Sequence, residues 1–227
     1  MDHIKFQNIE NKNEKDNTES DSETKRTIAE NRDLAHIYKV IRQIYGEKMG
    51  KYIIETDRIG LREITENDFE TWHRMLSDQE TMQYYPQPFD AEKTESWIAW
   101  NQDNYKKYGL GLWAVILKET NEFIGDCGVT MQNIYKDGRL FPEIGFHISK
   151  KFWRNGFASH AAGACMQYIF ENTEFDELFC YQKWSNIPSR KTAEKIGMSF
   201  RKEYEDEKNG KTSVYSITRL EYEKQKQ

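Results

Sequence analysis

The sequence predicts a mixed α/β domain over residues 49–227, preceded by a charged leader over 1–26 and an amphipathic helical extension over 27–48. Segments with the period of a strand alternate with segments of helical period from Tyr52 to the C-terminus, the pattern of a sheet covered by helices. Asn209-Gly210 lies between two alternating runs, the strongest short signal for a hairpin. Composition also changes near residue 48. Residues 1–25 hold seven acids against four lysines, which is −3 of the chain's net charge of −5. Apart from Met1, Ile4, Phe6 and Ile9 the leader has nothing to bury, so it is expected to be disordered.

The elements follow in order. Leu34, Ile37, Tyr38, Ile41, Ile44 and Tyr45 recur at helical spacing and Gly46 is placed to end that helix, whose apolar stripe must be covered by the domain or by a partner. A strand through Ile59 and Leu61 leads to a helix starting near Thr65, with Asn67 and Glu70 at capping-box spacing. A second helix over 91–106 is closed by Gly109. Strands over 111–118 and 123–131 flank the Thr120-Asn121 turn. A strand over 141–149 precedes a long helix from about Gly156 to Glu171. Then come a strand over 177–182, a short helix over 188–196 and the terminal hairpin.

Composition narrows the functional classes. No apolar run approaches the roughly 20 residues that cross a bilayer, and no apolar stretch of a signal peptide stands near Met1. With 33 basic against 38 acidic residues and no dense basic cluster, nucleic acid has no electrostatic footprint. The three widely spaced cysteines, Cys127, Cys165 and Cys180, fit buried thiols in a reducing cytoplasm better than a disulfide framework or a metal site. A cytoplasmic protein, monomer or homodimer, without metal, is the expectation.

Two stretches carry chemistry. The first runs from Glu143-Ile-Gly through His147, Ile148 and Ser149 to Lys150-Lys-Phe-Trp-Arg-Asn-Gly-Phe-Ala-Ser159. It is a strand, a loop and a helix opening. A helix N-terminus presents unpaired N–H groups and partial positive charge, which suits a pyrophosphate. Gly156 and Ala158 are small where a ligand would approach the backbone, and Lys150, Lys151 and Arg154 add positive charge. Neither a G-x-G-x-x-G nor a P-loop is present, so a glycine easing a turn is the alternative. The second stretch, Asn186-Ile-Pro-Ser189 to Gly197, is a short helix opened by Pro188; Asn186 by itself reads equally as a helix cap.

Together, in this order, the stretches resemble the GNAT superfamily of N-acetyltransferases. The glycine loop is similar to its x-x-G-x-G/A acyl-CoA pyrophosphate motif at Gly156 and Ala158, and the second stretch to its N-x-x-S segment at Asn186, Ser189 and Gly197. Thr56-Asp-Arg-Ile-Gly-Leu-Arg62, Trp153 and Glu143-Ile-Gly resemble the ribosomal-protein alanine acetyltransferase type (RimJ/RimL-like). Trp153 departs from the general motif, and His160 from that branch, without removing backbone donors. The resemblance covers roughly residues 52–222 and implies a mixed, mostly antiparallel sheet of about seven strands flanked by helices.

It also implies acetyl-CoA as co-substrate and a primary amine as acceptor: a protein N-terminus, a polyamine, an aminoglycoside or another small amine. The pantetheine arm would pair with backbone near His147, Ile148 and Ser149, with Arg154, Asn155, Gly156, Phe157, Ala158, Ser159 and Asn186 around the phosphates. Glu143 is the candidate base, or else a surface carboxylate paired with a lysine. Ser189 is the candidate acid, or else a capping hydroxyl, with Tyr215 as its rival. The His73 and His147 side chains are read as packing or surface groups. Tyr85, Trp97 and Trp113 lie in or near elements expected to build the acceptor pocket, where core packing is an equal reading. Nothing places a cysteine for a covalent acetyl-enzyme, so transfer would be direct, in a ternary complex. A non-catalytic acyl-CoA sensor that docks a partner through the 27–48 helix is the rival function.

Overall fold

A computed structural model of the chain describes residues 51–207 and 210–226. The leader, the 27–48 helix and the Asn209 half of the hairpin turn lie outside the described residues. Eight strands form one sheet in the order β1-β2-β3-β4-β5-β6-β8-β7. They are β1 (Ile54–Glu55), β2 (Ile59–Glu63), β3 (Leu112–Leu117), β4 (Glu122–Gln132), β5 (Phe141–Ile148), β6 (Glu177–Lys183), β7 (Ser199–Asp206) and β8 (Gly210–Thr218). Every neighbouring pair is antiparallel except β5–β6, which is parallel. The mixed, mostly antiparallel sheet is therefore present, with the two-residue β1 as an additional edge strand.

Five α-helices are described: α1 (Phe69–Leu76), α2 (Ala91–Tyr108), α3 (Phe157–Asn172), α4 (Ile187–Lys195) and α5 (Arg219–Gln225). The first is entered through a 3₁₀ turn whose capping box is Thr65–Asp68 rather than Asn67–Glu70: the Asp68 carboxylate accepts the Thr65 N–H at 2.9 Å. Asp68 wins because Arg62 also holds it, at 2.7 and 2.8 Å. Asp90 caps α2 and Gly109, at φ 68°, closes it. The terminal α5 was not expected. Its signal is the capping box Thr218–Glu221, on a segment too short to show a helical period.

The sheet is buried on both faces, and β3 shows how. Trp113 and Val115 point into a core shared with α3 and α5, while Leu112, Ala114 and Ile116 point into a second core under α1 and α2. That is the period of two of a pleated strand. The same alternation sorts polar residues. On β4 and β5, Asp126 stands opposite His147 and Thr130 opposite Glu143, and Asp126 faces the α1 side, where Trp72 meets it.

Candidate active site

The site begins where the sheet changes direction. β4 and β5 are paired from Gly125↔Ile148 to Gln132↔Phe141, whereas β5 and β6 share the single registered pair Glu143↔Phe179. Beyond it the two strands diverge and open a cavity of about 1190 Å³. Ser149 donates its N–H to the Ile124 carbonyl at 2.9 Å, so in an antiparallel ladder the groups of His147 also point toward β4, and those of Phe146 and Ile148 toward the opening. The Trp153 indole N–H takes the Ile148 carbonyl at 2.6 Å. The strand groups on offer to a ligand thus centre on Phe146 and the Ile148 N–H, and Ser149 is spent on β4.

At one end the cavity meets the opening of α3. Arg154 and Gly156 both adopt left-handed backbone, φ 64° and 77°, which turns the chain so that the first-turn N–H groups face outward. Gly156 is the N-cap and offers no capping side chain. Arg154, Lys191 and Lys195 line this end and take part in none of the ion pairs among the described residues. Free amide donors, unpaired cations and a left-handed glycine fit a diphosphate. Asn186 caps α4 by accepting the Ser189 N–H at 3.2 Å. The Ser189 hydroxyl lies 3.5 Å from Gln182 Oε1.

Glu143 stands at the apex of the opening, and its carboxylate accepts hydrogen bonds from the Thr130 hydroxyl and the Tyr181 N–H. It therefore spans from β5 to β6 where the strands part. Burial pushes its pKa up to about 8, against the opposing pull of His147 and the two hydrogen bonds. Beside it runs a chain that the sequence reading did not find. Asp126 Oδ2 accepts the Trp72 indole N–H at 2.8 Å, Asp126 Oδ1 lies 2.9 Å from His147 Nδ1, and His147 Nε2 lies 2.6 Å from the Tyr85 hydroxyl. Burial alone would lower the His147 pKa, but the charge and hydrogen bond of Asp126, aided by Glu143, leave it raised. Tyr85 is raised too, chiefly by burial. Asp126 and His147 lie 21 residues apart, and only their cross-strand register unites them.

Of the expected site residues, Glu143, His147, Ile148, Arg154, Gly156, Phe157, Ala158, Ser159, Asn186, Ser189, Tyr85 and Trp97 line this one cavity. Ser149, Asn155, Trp113 and Tyr215 do not. The Asn155 amide bonds the carbonyls of Phe152 and Trp153 within its own loop. Trp113 faces the other side of the sheet, edge-on to Tyr168 at 5.7 Å. Tyr215 is 1% exposed, with its hydroxyl held by Arg190 and Glu194 at 3.2 and 3.1 Å. Glu143 is no surface carboxylate, and the His147 side chain is a half-buried member of the site.

This architecture is that of an acyltransferase domain, and the comparisons agree. The family model described as acetyltransferase (GNAT) domain matches residues 58–199. The chain belongs to the GNAT acetyltransferases and is an N-acetyltransferase. It is 38% identical over 148 residues to the uncharacterized protein YkkB of Bacillus subtilis (strain 168), covering 65% of this chain and 85% of that one. It is 30% identical over 175 residues to the uncharacterized N-acetyltransferase p20 of Bacillus licheniformis, covering 74% and 96%. Among solved structures, a GNAT-family acetyltransferase from Bacillus anthracis is 25% identical with a TM-score of 0.63, covering 74% of this chain and 98% of that one. A ribosomal L7/L12 alpha-N-protein acetyltransferase in complex with coenzyme A, 14% identical with a TM-score of 0.61 over 72% and 95%, shares the fold. No described helix is long and apolar enough to cross a membrane.

Proposed function

We propose that the chain is a cytoplasmic, acetyl-CoA-dependent N-acetyltransferase of the RimJ/RimL-like type, which transfers acetyl to a primary amine by direct attack in a ternary complex. The observation that carries this is the divergence of β5 from β6 after the pair Glu143↔Phe179. It leaves one cavity with unpaired cations and the N-terminus of α3 at one end, which suit a diphosphate, and a buried carboxylate at its apex.

Acetyl-CoA supplies an activated acyl group as its thioester. The attacking amine must first be neutral, since an ammonium has no lone pair; an α-amino group titrates near about 7.7–8.0 and a lysine near about 10.4. Glu143, pushed up to about 8, is matched to accept such a proton. The amine nitrogen bonds to the carbonyl carbon and the carbon–sulfur bond breaks. Glu143 takes the proton that the amine nitrogen sheds, the departing sulfur takes one from the Ser189 hydroxyl, and solvent water returns a proton to Ser189 while Glu143 releases its own. Backbone N–H groups facing the opening from Phe146 and Ile148 are the donors for the carbonyl oxygen.

Thiol release from acetyl-CoA across an amine panel tests this reading. Turnover with at least one primary amine, rising with pH through about 8 as Glu143 ionises, is the expected result. Binding of coenzyme A with no thiol release from any amine would instead establish the sensor reading.

A further inference from the structure

The acceptor itself is constrained by the charges and rings at the other end of the cavity. With the phosphates at α3, that end is lined by Tyr84, Tyr85, Lys93, Trp97 and Trp100. Among the described residues that line the cavity, Glu143 is the only carboxylate, and with its pKa near 8 it carries its proton at neutral pH. Asp78 and Glu80, in the loop just before this end, are engaged by Lys150 at 3.0 and 3.4 Å. An ammonium brought here beyond the reacting one finds no carboxylate to replace its lost hydration.

Aromatic faces can hold a cation without a carboxylate, but here a lysine already lies over the Trp97 face. Lys93 Nζ lies 5.5 Å from the Trp97 ring centroid and 5.8 Å from that of Phe89. Lys93 joins none of the ion pairs among the described residues. The rings themselves are fixed: Phe89 and Trp97 are 4.6 Å apart, Trp97 and Trp100 meet edge-on at 5.8 Å, and Tyr85 is tied to His147. Fixed rings under a lysine favour a flat apolar body and repel a second positive charge.

We infer that the acceptor is a primary amine carried on a planar, apolar body with no second cationic group, and that Lys93 is a determinant of this choice. Polyamines and aminoglycosides are thereby excluded as preferred acceptors. The inference rests on the transferase reading above and narrows it.

The test uses the full chain with acetyl-CoA, comparing tryptamine and phenethylamine with spermidine and kanamycin, alongside the dissociation constant for coenzyme A. The expected result is a kcat/KM for the aromatic amines at least about tenfold above those for the two polycations, since like charges brought together in a site cost that much or more. In Lys93→Glu, with its fold checked by circular dichroism, the ratio should shift toward spermidine by about tenfold. Preference for spermidine or kanamycin, or a ratio unmoved by Lys93→Glu, overturns this inference and leaves the transferase reading standing. Coenzyme A binding without thiol release from any amine overturns both.

Discussion

The two flanks of β5 behave as different materials. Toward β4 it is zipped along its whole length, from Gly125↔Ile148 to Gln132↔Phe141. Toward β6 a single pair, Glu143↔Phe179, holds. Close packing shows on the zipped flank at Gly125, where an added Cβ would run into the His147 carbonyl oxygen across the seam. The open flank trades backbone pairing for a carboxylate that reaches across, Glu143 to the Tyr181 N–H. Backbone pairing is concentrated on the first flank and the proposed chemistry on the second. Substitutions should separate them.

The largest effect is expected at the apex. Glu143→Gln keeps an acceptor for Thr130 and Tyr181 but cannot take a proton, so kcat/KM should fall by about 10²–10⁴-fold and the rise in rate near pH 8 should vanish. Its stability should respond differently. Unfolded, the Glu143 carboxyl ionises near 4.5, while in the folded chain burial holds the proton up to about 8. Between those values the unfolded chain binds fewer protons, so wild-type stability falls as pH rises, by about 1.4 kcal/mol per pH unit, and levels off above pH 8. His147, with its raised value, adds to the fall: its contribution is full below about 6.5 and is lost as pH rises through the raised value. Urea melts from pH 5 to 8 should show a shallower decline for the variant. On the zipped flank Gly125→Ala, whose Cβ would meet the His147 carbonyl oxygen, should cost about 3 kcal/mol, seen as a lower urea midpoint. Substantial loss of function with unchanged stability there would break the comparison.

Asp126 sits on the boundary, since it is fully buried and serves both sides. Asp126→Asn leaves Trp72 or His147 without its charged acceptor, at a cost of about 2 kcal/mol. With Asp126 neutral, burial dominates at His147, and its pKa should drop below the ordinary histidine value. An NMR titration of the ring protons reads that directly. A His147 pKa still raised in Asp126→Asn would show that Asp126 is not what holds it up.

Local signals made the frame legible. Gly109 at the end of α2, Asn186 and Pro188 opening α4, and Gly156 at α3 are each read from a few neighbouring residues, and each acts where it was expected. What was not legible depends on register. Trp113 and Leu112 are adjacent, yet only Leu112 reaches the cavity, because the pleat sends its neighbour to the far face. The Asp126–His147–Tyr85 chain needs the pairing of β4 with β5 and the loop between α1 and α2 laid across it. No spacing within the sequence announces either. The terminal helix was missed for a different reason, since seven residues with one buried side chain, Tyr222, show no period.

The smallest stability effect falls at the α3 end of the cavity, and it is the sharpest test of the division. Gly156 adopts φ 77°, and a Cβ there would meet nothing closer than Lys195 Nζ at 4.0 Å. Gly156→Ala therefore suffers only the backbone cost of a left-handed alanine, about 1 kcal/mol, with no clash to relieve. If the amides of α3 hold the diphosphate, the added methyl stands where the ligand approaches. Coenzyme A binding by calorimetry should then weaken by about tenfold, well beyond the loss in stability. A variant that loses about 1 kcal/mol of stability and binds coenzyme A unchanged would show that the phosphates lie elsewhere in the cavity. The open flank would then keep its carboxylate but lose its cofactor end.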